Sequence, residues 1–254
     1  MKRMGQIVLV GALSVMLLGC SGPGTSASTT EASPSESAPT AAEGEAVVES
    51  SEAPVVASAE GSPEEVLAYI EQDFEATAQG LLDEQTALFA QTGDTYEGYA
   101  GNVQAVQGWY DLAVSETEAL GARTLENARQ YYRSVVATID HGDEDALDAA
   151  LDDFYDLIYD DAFDSYYDAI YDDAFDEMYD YYYDGSIDGG YDTMPYDEWY
   201  DSKSDAYDAW YDSKSDVYDG WYDAKSDVYD EWFDVNSGFY NNEFDINEVL
   251  RLDE

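Results

Sequence analysis

A chain of 254 residues with 58 acidic and 9 basic side chains carries a formal net charge of −49, which excludes nucleic acid and bare anionic membrane surfaces as partners held by charge. Its 45% hydrophobic content, with 24 Tyr and 5 Trp, excludes a chain that stays unfolded along its whole length. A single Cys excludes any intrachain disulfide.

Residues 1–19 read as a signal peptide. Lys2 and Arg3 form a basic start, and the apolar run from Ile7 to Leu18 is short for a bilayer span. The run closes on Leu17-Leu18-Gly19-Cys20, which resembles the lipobox of bacterial lipoprotein precursors. Leu18 departs from the smaller residue commoner at its position. The resemblance implies cleavage before Cys20, a diacylglyceryl thioether on its sulfur, and anchorage at the extracytoplasmic face of the cell membrane. Two acyl chains hold a protein on a bilayer where one does not. The competing reading is an ordinary secretory signal with an incidental Cys; that Cys20 is the sole Cys favours lipidation.

Residues 20–61 follow the Cys with Ser, Thr, Ala, Pro and Glu and no apolar periodicity. That composition predicts a disordered tether with a span of roughly 35 Å.

Residues 62–142 form an N-terminal helical region. Ser62-Pro63-Glu64-Glu65 is a helix start with Ser at the N-cap, Pro at the first helical position and Glu65 closing a capping box. Val66, Leu67, Ile70, Phe74, Ala78, Leu81, Leu82 and Leu88 keep helical spacing up to Gly93-Asp94. A second helix is predicted from about Tyr96 to Ile139, with Val103, Val106, Trp109, Tyr110, Leu112, Leu120 and Leu125 in the core. Arg123, Arg129 and Arg133 are expected to neutralise acidic segments packed nearby. His141, the one histidine, reads as a surface or capping side chain at a helix boundary.

Residues 143–254 form an acidic region of aromatic repeats. Asp143-Glu144-Asp145 opens a helix with acid at its positive end. An aromatic followed by Asp then recurs every four residues from Tyr155 through Tyr159, Phe163, Tyr167, Tyr171, Phe175 and Tyr179 to Tyr183, within a twelve-residue unit marked by YDDAF. On a straight α-helix a four-residue step overshoots each turn by about 40°. Either the helix wraps its neighbours or the pattern is divided between partners on different sides. A strand segregates these residues poorly.

The last element repeats at eleven. Trp199, Trp210, Trp221 and Trp232 recur at that spacing, close to three α-helical turns. On a wheel, Trp210, Tyr211, Lys214, Val217 and Tyr218 fall in one arc, with Asp208, Asp212 and Asp216 opposite. Each lysine lies inside the aromatic arc with no Asp three or four residues away. It is expected to stack on rings or to reach an Asp of a neighbouring helix. These Tyr-Asp, Trp-Tyr-Asp and Ser-Asp units behind a Ser/Thr/Pro-rich tether resemble uncharacterised secreted proteins and lipoproteins of Gram-positive bacteria, which adds support for fold and address and implies no activity.

One His, no Cys beyond position 20 and no phosphate loop leave hydrolytic and nucleotide chemistry without reagents, so no enzyme is expected. For metals, Asp184, Asp188 and Asp192 in DGSIDGGYD are weak candidates matching no established calcium-loop spacing; diffuse Ca²⁺ binding is the expectation, with no dedicated cofactor. The sequence thus predicts an all-α bundle of three or four long helices behind a tether. The expected role is a membrane-anchored scaffold or interaction lipoprotein meeting a basic protein or peptide. A calcium-responsive or cell-wall-polysaccharide-binding module is the alternative.

Overall fold

The structure, a computed structural model, describes residues 62–92, 99–140 and 142–240. Of these, 93% are helical and none lies in a strand, which removes the strand alternative for the twelve-residue repeat. Cys20, the tether and His141 lie outside the described residues.

The first helix, α1 (Pro63–Thr92), starts through the reciprocal bonds of its capping box. The Ser62 N–H donates to Glu65 Oε2 at 2.9 Å, and the Glu65 N–H donates to Ser62 Oγ at 3.4 Å. Its inner face is the predicted one, with Val66, Leu67, Ile70, Phe74, Leu81 and Leu88 buried and Ala78 and Leu82 packed at the edge. Gln85 is buried in the same face; its amide donates to the Ala174 carbonyl at 2.6 Å.

Helix α2 (Tyr99–Ser134) ends sooner than its pattern suggests. Ser134 Oγ and Thr138 Oγ1 donate to the carbonyls of Gln130 and Val135. The chain tightens into a 3₁₀ turn at Val136–Thr138, as hydroxyl back-bonding and a β-branched pair favour. Val106, Trp109, Tyr110 and Leu120 are buried, whereas Val103, expected in the core, is exposed. It lies one turn before Val106, the first covered apolar residue described on this helix.

Helix α3 is continuous from Glu144 to Ile187 and changes character along its length. An α-helical start, Glu144–Phe154, gives way to π-helix at Tyr155–Ala162, Tyr167–Ala174 and Tyr179–Ile187, with single α-helical turns at Phe163–Tyr166 and Phe175–Met178 between them. The π segments begin twelve residues apart, in step with the sequence unit. Closing i→i+5 places more residues in each turn, so the repeat averages about four residues per turn and its stripe need not drift. Phe154, Ile158, Ala162, Tyr166, Ile170 and Ala174 accordingly form a straight buried row at four-residue spacing. The Tyr-Asp stripe one position later is divided: Phe163 and Phe175 are buried in the core, while Tyr155, Tyr159, Tyr167 and Tyr171 are half-buried.

A 3₁₀ turn at Asp188–Gly190 leads to α4 (Tyr196–Tyr240). The helices alternate in direction, with α1 and α4 each beside both α2 and α3. Rings join α2 to α3 across the core: Tyr110 stacks on Phe175 at 5.5 Å, Tyr131 stacks on Phe154 at 5.4 Å, and Thr117 Oγ1 lies 2.8 Å from the Tyr166 hydroxyl. Small residues let α2 and α4 approach closely. A Cβ on Gly121 would stand 2.5 Å from Ala224 Cβ, so only glycine fits there without a shift.

Candidate functional site: an aromatic seam and an acidic outer face

The seam between α3 and α4 is built from the eleven-residue unit upward. Each tryptophan of α4 donates its indole Nε1–H to a backbone carbonyl of α3. The pairs are Trp199 to Ile187 at 3.1 Å, Trp210 to Phe175 at 2.9 Å, Trp221 to Phe163 at 2.9 Å and Trp232 to Leu151 at 3.1 Å. Eleven residues on one helix therefore match twelve on the other. An α-helix rises about 1.5 Å per residue, so the shared repeat is about 16.5 Å and α3 must average about 1.4 Å per residue. The π segments supply the difference, because they hold an extra residue without extra length. Three of the four carbonyls, those of Leu151, Phe163 and Phe175, also accept from the amide four residues on in their own helix, at the residue that opens each π segment: Tyr155, Tyr167 and Tyr179. The indole takes the second lone pair of each.

The lysines occupy both partners that the sequence offered. Lys203, Lys214 and Lys225 pair with Asp188, Asp176 and Asp164 of α3 and its closing turn at 2.5, 2.8 and 2.5 Å. Their ammonium groups lie over Tyr183, Tyr171 and Tyr159 at 4.3, 4.5 and 4.6 Å, with the indoles of Trp199, Trp210 and Trp221 slightly farther away. Each unit is thus an ammonium between two rings and a carboxylate. Partial burial, followed by the neighbouring carboxylates and phenols, raises the Tyr159, Tyr167 and Tyr179 hydroxyls above the usual tyrosine value. They stay neutral at physiological pH. Deeper in the core, burial pushes Tyr166 up to about 12 against the lowering effect of its bond to Thr117.

The arginines extend the pattern unevenly. Arg123 forks onto Asp73 of α1 at 2.8 and 3.1 Å. Arg129 binds Glu231 of α4. Arg133 reaches only Glu126 of its own helix, at 3.7 Å. All six basic side chains among the described residues are therefore held by carboxylates within the bundle.

The excess acid faces outward. Between α2 and α4 run two shallow openings of about 440 and 580 Å³. Their walls carry Asp111 and Glu118 from α2 and Asp212, Asp216, Asp219 and Asp223 from α4. Their floor is small and apolar, with Val114, Gly121 and Ala224. Among the described residues no three acidic, His or Cys side chains are grouped to hold a metal ion. Of the three metal candidates, Asp184 lies exposed in the last π segment of α3, Asp188 opens the following 3₁₀ turn and accepts from Lys203, and Asp192 is exposed beyond it.

The eleven-residue wheel placed all its rings on one buried arc, and the structure divides them. The indoles and Tyr229 are half-buried in the seam. Tyr200, Tyr211 and Tyr222 are 56–58% exposed and Phe233 is 51% exposed. The arc is wider than α3 can cover. No described helix is long and apolar enough to cross a membrane. No protein-family model, curated protein or solved structure matches the chain.

Proposed function

We propose that this protein is a non-enzymatic interaction module of the cell surface, anchored through lipid on Cys20 and presenting its acidic bundle to a basic protein or peptide. The observation that carries the reading is the allocation of charge. Every described cation is held inside the bundle by a carboxylate, so the large remaining acid excess faces solvent. Such a surface raises the local concentration of cationic partners and speeds their association at low ionic strength. The tryptophans and lysines, the residues with most chemical character, support the reading by being engaged in the seam.

Two measurements test it. The full-length chain and its Cys20→Ala variant are fractionated after expression in a bacterial host. The reading expects the variant to leave the membrane fraction, and its retention there would overturn the anchor. Binding of a lysine- and arginine-rich peptide to the full-length chain is measured between low and high salt. Binding that weakens steeply with salt is expected, and no binding at low salt would overturn the partner class.

A further inference from the structure

The outward rings of α4 form an ordered row. Tyr200, Tyr211, Tyr222 and Phe233 recur at eleven residues, each more than half exposed. Each lies against the ring four residues before it, with centroids 6.1–6.2 Å apart and planes within 16–26° of parallel. Three residues before each outer ring, on the same helix face, stands an exposed aspartate: Asp197, Asp208, Asp219 and Asp230. Carboxylate and ring therefore alternate along α4 with a repeat of about 16.5 Å.

The facing helix α3 and its closing turn show what a row of rings and carboxylates binds, because there they seat the lysines of α4. In each of three units an ammonium lies 4.3–4.6 Å from a tyrosine centroid while it donates a hydrogen bond to an aspartate of α3 or its closing turn. The outer row repeats those two elements, ring and carboxylate, and the six described cations are all engaged elsewhere.

We propose that this outer row of α4 is the docking strip for the basic partner, taking arginine or lysine side chains presented at the same spacing, each stacked on an outer ring beside its aspartate. The inference rests on the acidic-module reading above and assigns it a surface. Charge complementarity selects the occupant. A second copy of this chain would set aspartate against aspartate, and an anionic polymer would be repelled. A guanidinium gains from both elements at once, since it stacks on the ring face and donates to the carboxylate.

The test uses the full-length chain and two helical peptides of identical composition, one with arginines eleven apart and one with them shuffled. The strip predicts tighter binding of the register-matched peptide. It also predicts a loss of about ten-fold or more in the Tyr200→Ser/Tyr211→Ser/Tyr222→Ser variant, from about two- to five-fold per ring. The corresponding triple Phe variant should bind like the wild type, because it keeps the ring faces; helicity and melting of both variants confirm that they fold. If the Ser variant binds as tightly as the wild type and salt still abolishes binding, the strip is overturned while the acidic-module reading survives. If neither peptide binds the wild type at low salt, the module reading falls with it. Ring-dependent binding of a neutral glucan, with no peptide binding, would overturn the choice of occupant.

Discussion

Single-residue deletions in the two seam helices should have opposite severity. Removing Asp172 from the central π segment of α3 takes out the extra residue that distinguishes twelve from eleven. The segment can then close as ordinary α-helix, leaving Phe163 and the former Phe175 eleven residues apart, close to three α-helical turns. Their carbonyls stay in line with Trp221 and Trp210. The expected losses are local: the Tyr167–Tyr171 stack at 4.6 Å and the Lys214 contact with Tyr171 at 4.5 Å. Together these amount to about 1–2.5 kcal/mol. Removing Asp212 from α4 has no π turn to absorb it. Everything beyond rotates by about 100°, displacing the bonded indoles of Trp221 and Trp232 and the buried Val217, Val228 and Val235. At about 2–5 kcal/mol for each large side chain lost from the core, that rivals the whole stability of an ordinary domain, about 5–15 kcal/mol. Urea unfolding followed by circular dichroism compares the two. Equal destabilisation, or a more severe effect from the Asp172 deletion, would refute the matching of twelve residues against eleven.

Three other perturbations follow from the geometry. Gly121→Ala overpacks the α2–α4 contact, and a double-mutant cycle with Ala224→Gly should return a coupling of about 1–3 kcal/mol; additivity would show that the helices do not approach as closely as described. Lys214→Met keeps the buried stem and removes the charge, costing about 1–2 kcal/mol from its ring contacts and its pair with exposed Asp176. The ion-pair share should fade in high salt; an unchanged melting temperature at low salt would count against the seat. At alkaline pH the unfolded chain releases phenolic protons near pH 10, while burial keeps Tyr166 protonated to about 12 and raises Tyr110, Tyr131 and Tyr132 in the same direction. Between those limits the folded state binds more protons, so stability is intact below about pH 10 and falls as pH rises, by up to about 1.4 kcal/mol per pH unit for each such group. Denaturant midpoints from pH 9 to 12 check the slope, and a flat profile would contradict it.

The sequence exposed those features whose cause is local. The capping box at Ser62, the inner face of α1 and the eleven-residue helix follow from capping chemistry and from spacing that fits ordinary α-helix. The absence of any helical Asp near each lysine pointed to rings or to another helix, and both are its partners. What sequence reasoning missed depends on two helices at once. A four-residue step looks incompatible with a fixed helix face when the helix is assumed α throughout. The π segments that reconcile it become evident when α3 is laid beside α4 and twelve residues must match the length of eleven. The difference between the two repeat lengths was the available signal. The wheel also placed Tyr211 and Tyr218 in the same arc as Trp210, because angle alone does not show where the neighbouring helix ends. Tyr218 meets Tyr171 at 5.6 Å, while Tyr211 stands outside the seam.

The measurement that bears most directly on the account is nuclear magnetic resonance of the full-length chain during titration with the arginine-bearing peptide, observing indole N–H and tyrosine ring signals together. The indoles of Trp109, Trp199, Trp210, Trp221 and Trp232 all donate to backbone carbonyls inside the bundle. They should stay in place and exchange slowly with solvent, while the rings of Tyr200, Tyr211 and Tyr222 shift as the peptide saturates. Indole signals that move or exchange rapidly on binding, beside unmoved outer tyrosines, would show that the repeat carries the recognition and that its reading as a seam is wrong.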